Sequence, residues 1–290
     1  MRVRAPAKLN LFLHVGEKRA DGFHALESLL AFVEEADILV MEPADELSLT
    51  VVGPYAGALK EEPDNLVLRA ARALDATRGA AITLEKNLPV AAGVGGGSAD
   101  AGAALRGLNA LWGLERDQGE LGEIAAAIGS DVPACVLSQP VWMAGRGEII
   151  RGFGTIPSFE LVLVNPNVPL TTAFVFERLN VRTGIGAMRP PDEDFASIWD
   201  LVTYLADSGN DLEGPACSMA PSIDTVLDAL AHEPGCVFVQ MSGSGPTCFA
   251  IFQDGPWARG AADRIVQDHP EWWVRGTRIA PPDFAIPNAL

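Results

Sequence analysis

An α+β protein of one large or two medium domains is predicted by three features of this 290-residue sequence. The first quarter reads as strands, with apolar residues alternating between Lys8 and Val15. A glycine-rich loop then separates a short strand from an amphipathic helix. From Ile223 onward the pattern runs helix, strand, strand, helix, strand, an order that suggests a small α+β sandwich.

Taken in order, Leu9, Leu11, Leu13 and Val15 fall on one face of the first strand, and Lys8, Asn10, Phe12 and His14 on the other. Lys8 and Asn10 are therefore expected to point the same way. A turn-rich stretch from Gly16 to Gly22 leads to strands at Ile38–Met41 and Leu47–Val52. Asp64-Asn65 precedes Leu66, Ala70, Ala73 and Leu74, which predicts a capped helix ending near Gly79. Ala81 to Glu85 is the next strand. The spacing of Ala101, Ala104, Leu105, Leu108, Leu111 and Trp112 then predicts a helix with one buried stripe, starting at about Ser98. A further helix carries Leu121, Ile124, Ala125 and Ile128 and stops at Gly129. Val141–Ala144 and Ile149–Arg151 read as a hairpin through Gly145-Arg-Gly147, and Leu161–Val164 as a strand. Gly152 to Ser158 between them is the expected domain junction, which gives domains 1–155 and 156–290. The weakly periodic stretch Arg182 to Asp194 predicts a mobile loop.

Composition excludes several classes. A formal charge of -17, from 38 acidic and 21 basic residues, repels a phosphate backbone over most of the surface and argues against a nucleic-acid partner. It does not exclude a small anion, because a few aligned amides and a lysine can reverse the potential locally. No apolar run reaches the roughly 18 residues of a membrane span. Cys135, Cys217, Cys236 and Cys248 form no CxxC pair and read as reduced core residues. With no apolar leader before Lys8, the expected compartment is the cytoplasm. No obligate protein partner is evident.

Gly93-Val-Gly-Gly-Gly-Ser98 offers free amides with almost no side chains, and the helix after it adds its positive end. This is a recipe for holding a polyphosphate. No Lys-Ser or Lys-Thr follows the glycines, as a P-loop requires, and Ser98 takes the last glycine position of GxGxxG, so both labels fail. Asp131, just past a helix end and two residues before Pro133, suits either a helix N-cap or a carboxylate that accepts the proton of an attacking hydroxyl. Lys8 is either a solvated strand lysine or a charge aimed, like Asn10, into a site. Asp21-Gly-Phe-His24 and Ser242-Gly-Ser-Gly-Pro246 are turns that also suit ligand loops. Ser98 is placed either to cap its helix or to touch a metal ion.

Together, Pro6-Ala-Lys-Leu-Asn-Leu11, Leu88-Pro-Val-Ala-Ala-Gly-Val-Gly-Gly-Gly-Ser-Ala-Asp-Ala101 and Met241-Ser-Gly-Ser-Gly-Pro-Thr247 resemble the three motifs of the GHMP small-molecule kinases. Arg19-Ala-Asp-Gly-Phe-His24, Pro63-Asp-Asn-Leu66 and Gly129-Ser-Asp-Val-Pro133 are similar to a member that acts on a cytidine-diphosphate alcohol. The match spans the chain and is densest in its first half. It implies a two-domain α+β kinase fold, an N-terminal mixed α/β nucleotide-binding domain followed by an α+β sandwich domain. The implied activity moves the γ-phosphate of ATP, helped by Mg²⁺, to the 2-hydroxyl of cytidine-diphospho-methylerythritol in non-mevalonate isoprenoid synthesis. The alternatives are a homoserine or mevalonate type kinase of the same family, or a nucleotide-binding regulator without catalysis.

Carried over by position, the resemblance makes Asp131 the catalytic base and Lys8 the residue that polarises the hydroxyl. ATP would lie on Pro89, Val90, Ala91, Ala92, Gly93, Val94, Gly95, Gly96, Gly97, Ser98 and Ala99, with adenine near Asn65 and Lys86. Asn10, His24, Thr172, Gly243 and Ser244 would hold the cytidine substrate, with Phe23 and Phe176 stacked on its base. Phe23 stands where the family often has tyrosine, which keeps the π-face and loses a hydroxyl. Nothing distinctive matches 182–194.

Overall fold

A computed structural model describes residues 1–20, 22–59, 64–179 and 194–288. The loop expected at 182–194 falls outside them except for Asp194, and Asp21 and Pro63 of the short motifs also lie outside.

The first sheet is organised by two long antiparallel strands, β1 (Arg2–Lys18) and β2 (His24–Pro43). The stretch read as turn-rich from Gly16 is strand through Lys18, and Arg19 bonds Phe23 and Gly22 where the chain returns, its amide donating to Phe23 O and its carbonyl accepting from the Gly22 amide. Along its other edge β2 pairs first with β5 (Val141–Gly145) and, further on, with β4 (Ala80–Glu85). Beyond these lie β6 (Ile149–Gly152) and β3 (Leu47–Val52), the latter parallel to β4. Parallel neighbours need a crossover, and α1 (Leu66–Leu74) supplies it. Asn65 caps α1, its Oδ1 accepting from the Val67 amide at 2.9 Å, as the sequence predicts. The helix ends at Leu74 and not near Gly79, because Asp75 turns to extended backbone and accepts from Thr77 in a local turn.

α2 (Gly96–Trp112) starts two residues before the expected Ser98, so its cap is Gly95 and Ser98 lies inside the first turn. Its buried surface is broader than one stripe, since Ala99, Asp100, Ala101, Gly102, Ala103, Ala104 and Leu105 are all buried. Small side chains allow this, as the helix crosses β1 and β2 beneath α1, α3 (Gln118–Ala126) and α4 (Val132–Leu137). The second sheet has the order β10-β7-β9-β8, all antiparallel, from β7 (Glu160–Asn165), β8 (Cys236–Met241), β9 (Cys248–Phe252) and β10 (Trp273–Arg278). One face packs Leu161, Leu163, Phe249 and Ile251 on Leu9, Leu11 and Leu29 of the first sheet. The other packs Val162, Val164, Ala250 and Phe252 on α7 (Glu213–Met219), α8 (Ser222–Ala231) and α9 (Gly255–Asp268). The layers thus run helices, sheet, sheet, helices. Two short helices, α5 (Thr172–Glu177) and α6 (Ile198–Ser208), were not expected from the sequence, nor was α7.

The strict alternation expected in β1 also fails. Register shifts between Pro6 and Lys8 and between Asn10 and Phe12 put Phe12 with Leu9 and Leu11, leaving Leu13 and Val15 with Val162 and Val164 in the core under α7, α8 and α9. Bulges re-aim side chains in this way beside functional sites. All four cysteines are free, Cys135 and Cys248 buried and the other two half-buried. Among the described residues no helix is long and apolar enough to cross a membrane.

Gly102 sets the approach of α4 to α2: a β-carbon there would stand 2.7 Å from the backbone carbon of Cys135. Glycine to alanine inside a helix ordinarily stabilises by about 1 kcal/mol. Here the overlap with backbone reverses the sign, and Gly102→Ala is expected to destabilise by about 1–2 kcal/mol net, read by chemical denaturation.

Candidate active site

Two distant elements, β1 and the loop between β8 and β9, hold the glycine loop by its carbonyls. Ala92 O accepts from the Thr247 amide at 3.2 Å and Thr247 Oγ1 at 2.6 Å, Gly93 O from Ser242 Oγ at 3.3 Å, and Val94 O from the Lys8 amide at 2.9 Å. A trans peptide directs its C=O and the following N–H in opposite senses. The amides of Gly93, Val94 and Gly95 therefore point away from these supports. Gly93 and Gly95 have φ of 76° and 65°, where a side chain is strained. α2 then begins without a side-chain cap, so the Gly96, Gly97 and Ser98 amides have no acceptor within the helix.

Lys8 lies under this loop, its Cε 3.0 Å from where a β-carbon of Gly95 would be. Its buried Nζ donates to Asn10 Oδ1 at 2.7 Å and lies 3.1 Å from Asp131 Oδ2. Asn10 is itself fixed: Nδ2 donates to Ser28 Oγ at 2.8 Å, Ser28 Oγ donates to Phe12 O at 2.6 Å, and the Asn10 amide donates to Ser242 Oγ at 3.1 Å. Asp131 occupies the cap position of α4, yet its side chain makes no capping bond. Its carboxylate, 33% exposed, is thus committed to Lys8 and open to the cavity. Behind it, burial pushes the Cys135 thiol up to about 12, so that cysteine is no nucleophile.

Lys8, Asn10, Asp131, Ala91, Ala92, Gly93, Gly95, Gly96, Gly97 and Ser98 line one cavity of about 750 Å³. Across it stand Phe23, Thr172, Phe176, Gly243 and Ser244. Thr172 Oγ1 and Ser244 Oγ are 2.8 Å apart, which joins α5 to the loop after β8. Asn210 Nδ2 fixes that loop through Met241 O and Gly243 O, both at 2.8 Å. His24 Nδ1 donates to Gly16 O at 2.9 Å, and its ring faces Phe176 with centroids 5.6 Å apart. A neutral His24 therefore presents Nε2 as an acceptor.

Other residues named from the sequence lie elsewhere. Val94 and Ala99 belong to the cores, Pro89 is buried and Val90 is exposed on the outside of the loop. Asn65 serves its helix cap, and Lys86, 2% exposed, lies beneath the loop outside the cavity lining. Arg146, at the tip of the β5–β6 hairpin, lines the cavity and lies 5.4 Å from the centre of the Phe23 ring. Sequence reasoning passed over it, although it is the one basic residue in the Gly145-Arg-Gly147 turn. Ser28 carried no signal, being one serine in an apolar strand.

Models of the GHMP kinases N terminal domain and GHMP kinases C terminal match residues 65–139 and 191–274, together more than half of the chain. The chain belongs to the GHMP kinase family. A protein of Parvibaculum lavamentivorans, "4-diphosphocytidyl-2-C-methyl-D-erythritol kinase", is 48% identical over 93% of this chain and 95% of its own length. One of the same description from Cereibacter sphaeroides (strain ATCC 17025) is 47% identical over 95% and 98%. The crystal structure of a 4-(cytidine 5'-diphospho)-2C-methyl-D-erythritol kinase superposes with a TM-score of 0.76 at 33% identity, covering 97% of this GHMP kinase and 100% of that chain.

Because Asn10 holds the Lys8 ammonium by a buried, charge-assisted hydrogen bond, Asn10→Ala is expected to lower kcat about 10- to 100-fold. Steady-state kinetics and a melting curve of the same preparation check it, the fold being retained.

Proposed function

We propose that this GHMP kinase transfers the γ-phosphoryl group of ATP to the 2-hydroxyl of 4-(cytidine 5'-diphospho)-2-C-methyl-D-erythritol, in the cytoplasm, as a step of non-mevalonate isoprenoid precursor synthesis. The observation that carries this reading is the opening of an amide cradle and a Lys8–Asp131 pair, 3.1 Å apart, into the same cavity. The relatives' descriptions supply the identity of the alcohol. In this reading residues 1–155 hold the nucleotide, and residues 156–290 together with Phe23 supply the far wall of the cleft.

Phosphoryl transfer asks for alignment and charge stabilisation more than covalent help. Asp131 accepts the hydroxyl proton as the alcohol oxygen bonds to the γ-phosphorus and the bond to the ADP oxygen breaks. Lys8, held by Asn10, steadies the charge on the oxygens in flight. The loop amides and the start of α2 hold the triphosphate. His24 Nε2 reads a donor on the base, Phe23 and Phe176 stack on its faces, and Thr172, Gly243 and Ser244 border the rest of the substrate.

Mg²⁺ bound to nucleotide would neutralise charge on the phosphate oxygens. Among the described residues no group of three His, Cys, Asp or Glu side chains is placed to hold a metal ion. A hard cation carried on phosphate needs few protein oxygens, and the Ser98 hydroxyl in the lining fits that role.

Incubation with ATP, Mg²⁺ and the cytidine-diphospho alcohol is expected to add one phosphoryl group, read by product mass. Homoserine and mevalonate are expected to stay unmodified. Phosphorylation of either in place of the cytidine substrate would move the assignment to a sister kinase, and no phosphorylation at all would leave a nucleotide binder.

A further inference from the structure

Three ionisable side chains lie beneath the glycine loop and take no part in the chemistry above. Asp37 sits in β2 just before β4 begins to pair, Lys86 directly follows β4, and Asp100 is in the first turns of α2. They are 0%, 2% and 3% exposed. Lys86 Nζ donates to Asp37 Oδ2, and to Asp100 Oδ2 at 2.8 Å. Asp37 Oδ1 also accepts from the amides of Asn87 at 2.6 Å and Leu88 at 2.8 Å, which ties the entry of the loop to β2.

The two carboxyl groups are not equivalent. Asp37 receives three donors, as a buried carboxylate requires. Among the described residues Asp100 receives one, and its Oδ1 is buried with no hydrogen-bond partner. A charged oxygen left so is far costlier than a neutral one. Two ionised carboxylates beside one ammonium would also leave a net negative charge under a site for polyphosphate. A β-carbon on Gly96 would stand 3.0 Å from Lys86 Nζ and 3.7 Å from Asp37 Oδ2, so this group touches the first residue of α2 from below.

We propose that Asp37, Lys86 and Asp100 form a charge-balanced positioning unit for the phosphate loop, in which Asp37 is the carboxylate, Lys86 its ammonium, and Asp100 an uncharged acid. It rests on the reading of the loop as the triphosphate cradle. The unit fixes Gly96 so that the free amides at the start of α2 stay aimed at the phosphates. None of its members touches the reacting atoms. Burial, with the Asp37 charge adding to it, holds the Asp100 carboxyl well above the usual range against the pull of Lys86. Burial opposes the Lys86 charge, but the Asp37 carboxylate and the hydrogen bonds to both acids offset it and the ammonium persists. The Cys135 thiol on α4, also near Asp100, is pushed up to about 12 and stays uncharged. Lys86 and Asp37 are then the charges that govern Asp100.

The test compares Asp100→Leu, Asp100→Asn and the double variant Lys86→Met/Asp37→Asn, which leaves no stranded charge. Asp100→Leu and the double variant are expected to raise KM for ATP about 10-fold, the worth of one charge-assisted hydrogen bond, with KM for the alcohol held. Asp100→Asn, an isostere of the uncharged acid, restores KM for ATP to within about threefold of the parent on the same scale. The sign of the pH response is independent of turnover. A carboxyl that binds its proton more tightly when folded contributes stability that is complete below the ordinary carboxylate range and is lost as pH rises through the raised value. The parent is therefore expected to lose stability relative to Asp100→Asn as pH rises from that range. Asp100→Asn as impaired as Asp100→Leu, or a parent that gains stability relative to it with rising pH, overturns the unit. Failure of the unmodified chain to bind ATP overturns instead the reading on which the unit rests.

Discussion

Planar peptides pinned by their carbonyls are the constraint on which this site depends. Ala92 and Gly93 give their oxygens to the two ends of the loop between β8 and β9, Val94 gives its oxygen to β1, and the amides that follow are left to face the other way. The partners come from both ends of the chain, so the cradle exists only when the two sheets have packed. This explains why the loop needs no lysine of its own. Lys8 arrives from β1, its amide closing on Val94 O while its side chain passes under Gly95.

The same packing resolves an apparent conflict of charge. A chain with a formal charge of -17 is a poor general host for anions. Within the cleft, however, the partial positive ends of the loop and α2 are fixed in a partly enclosed cavity, where they act more strongly than in water. Lys8 is balanced by Asp131 and held by Asn10, so its position is set before any substrate arrives. Preorganisation of this kind avoids reorganising the site during the reaction. The bulge between Asn10 and Phe12 lets one strand serve both tasks: Lys8 and Asn10 face the site while Leu9, Leu11 and Phe12 fill the core between the sheets.

Local chemistry made the cradle, the cap at Asn65, the shared orientation of Lys8 and Asn10, and the β5–β6 hairpin legible in sequence, because each is set by neighbours in the chain. What sequence could not supply came from distant contacts. Asp131 suited both cap and base in sequence; in the structure it takes the cap position without a capping bond, its carboxylate held instead by Lys8 of β1. Ser98 was misplaced because glycines that begin a helix carry no propensity signal, so α2 starts at Gly96. Lys86 was read as a nucleotide contact, whereas its two acidic partners, 49 and 14 positions away, bury it below the loop. α5, which carries Thr172 and Phe176, is a helix of 6 residues stabilised by tertiary packing, too short to announce itself by periodicity.

The division of labour at the centre of this account, cradle for nucleotide and Lys8–Asp131 for chemistry, is tested most directly by Asp131→Asn. ATP affinity by calorimetry and turnover by product mass are measured on one preparation. The account predicts ATP affinity within about threefold of the parent and a loss of kcat of at least about 10²- to 10⁴-fold, the usual contribution of a general base. Undiminished turnover, or an ATP affinity that falls in step with kcat, would contradict it.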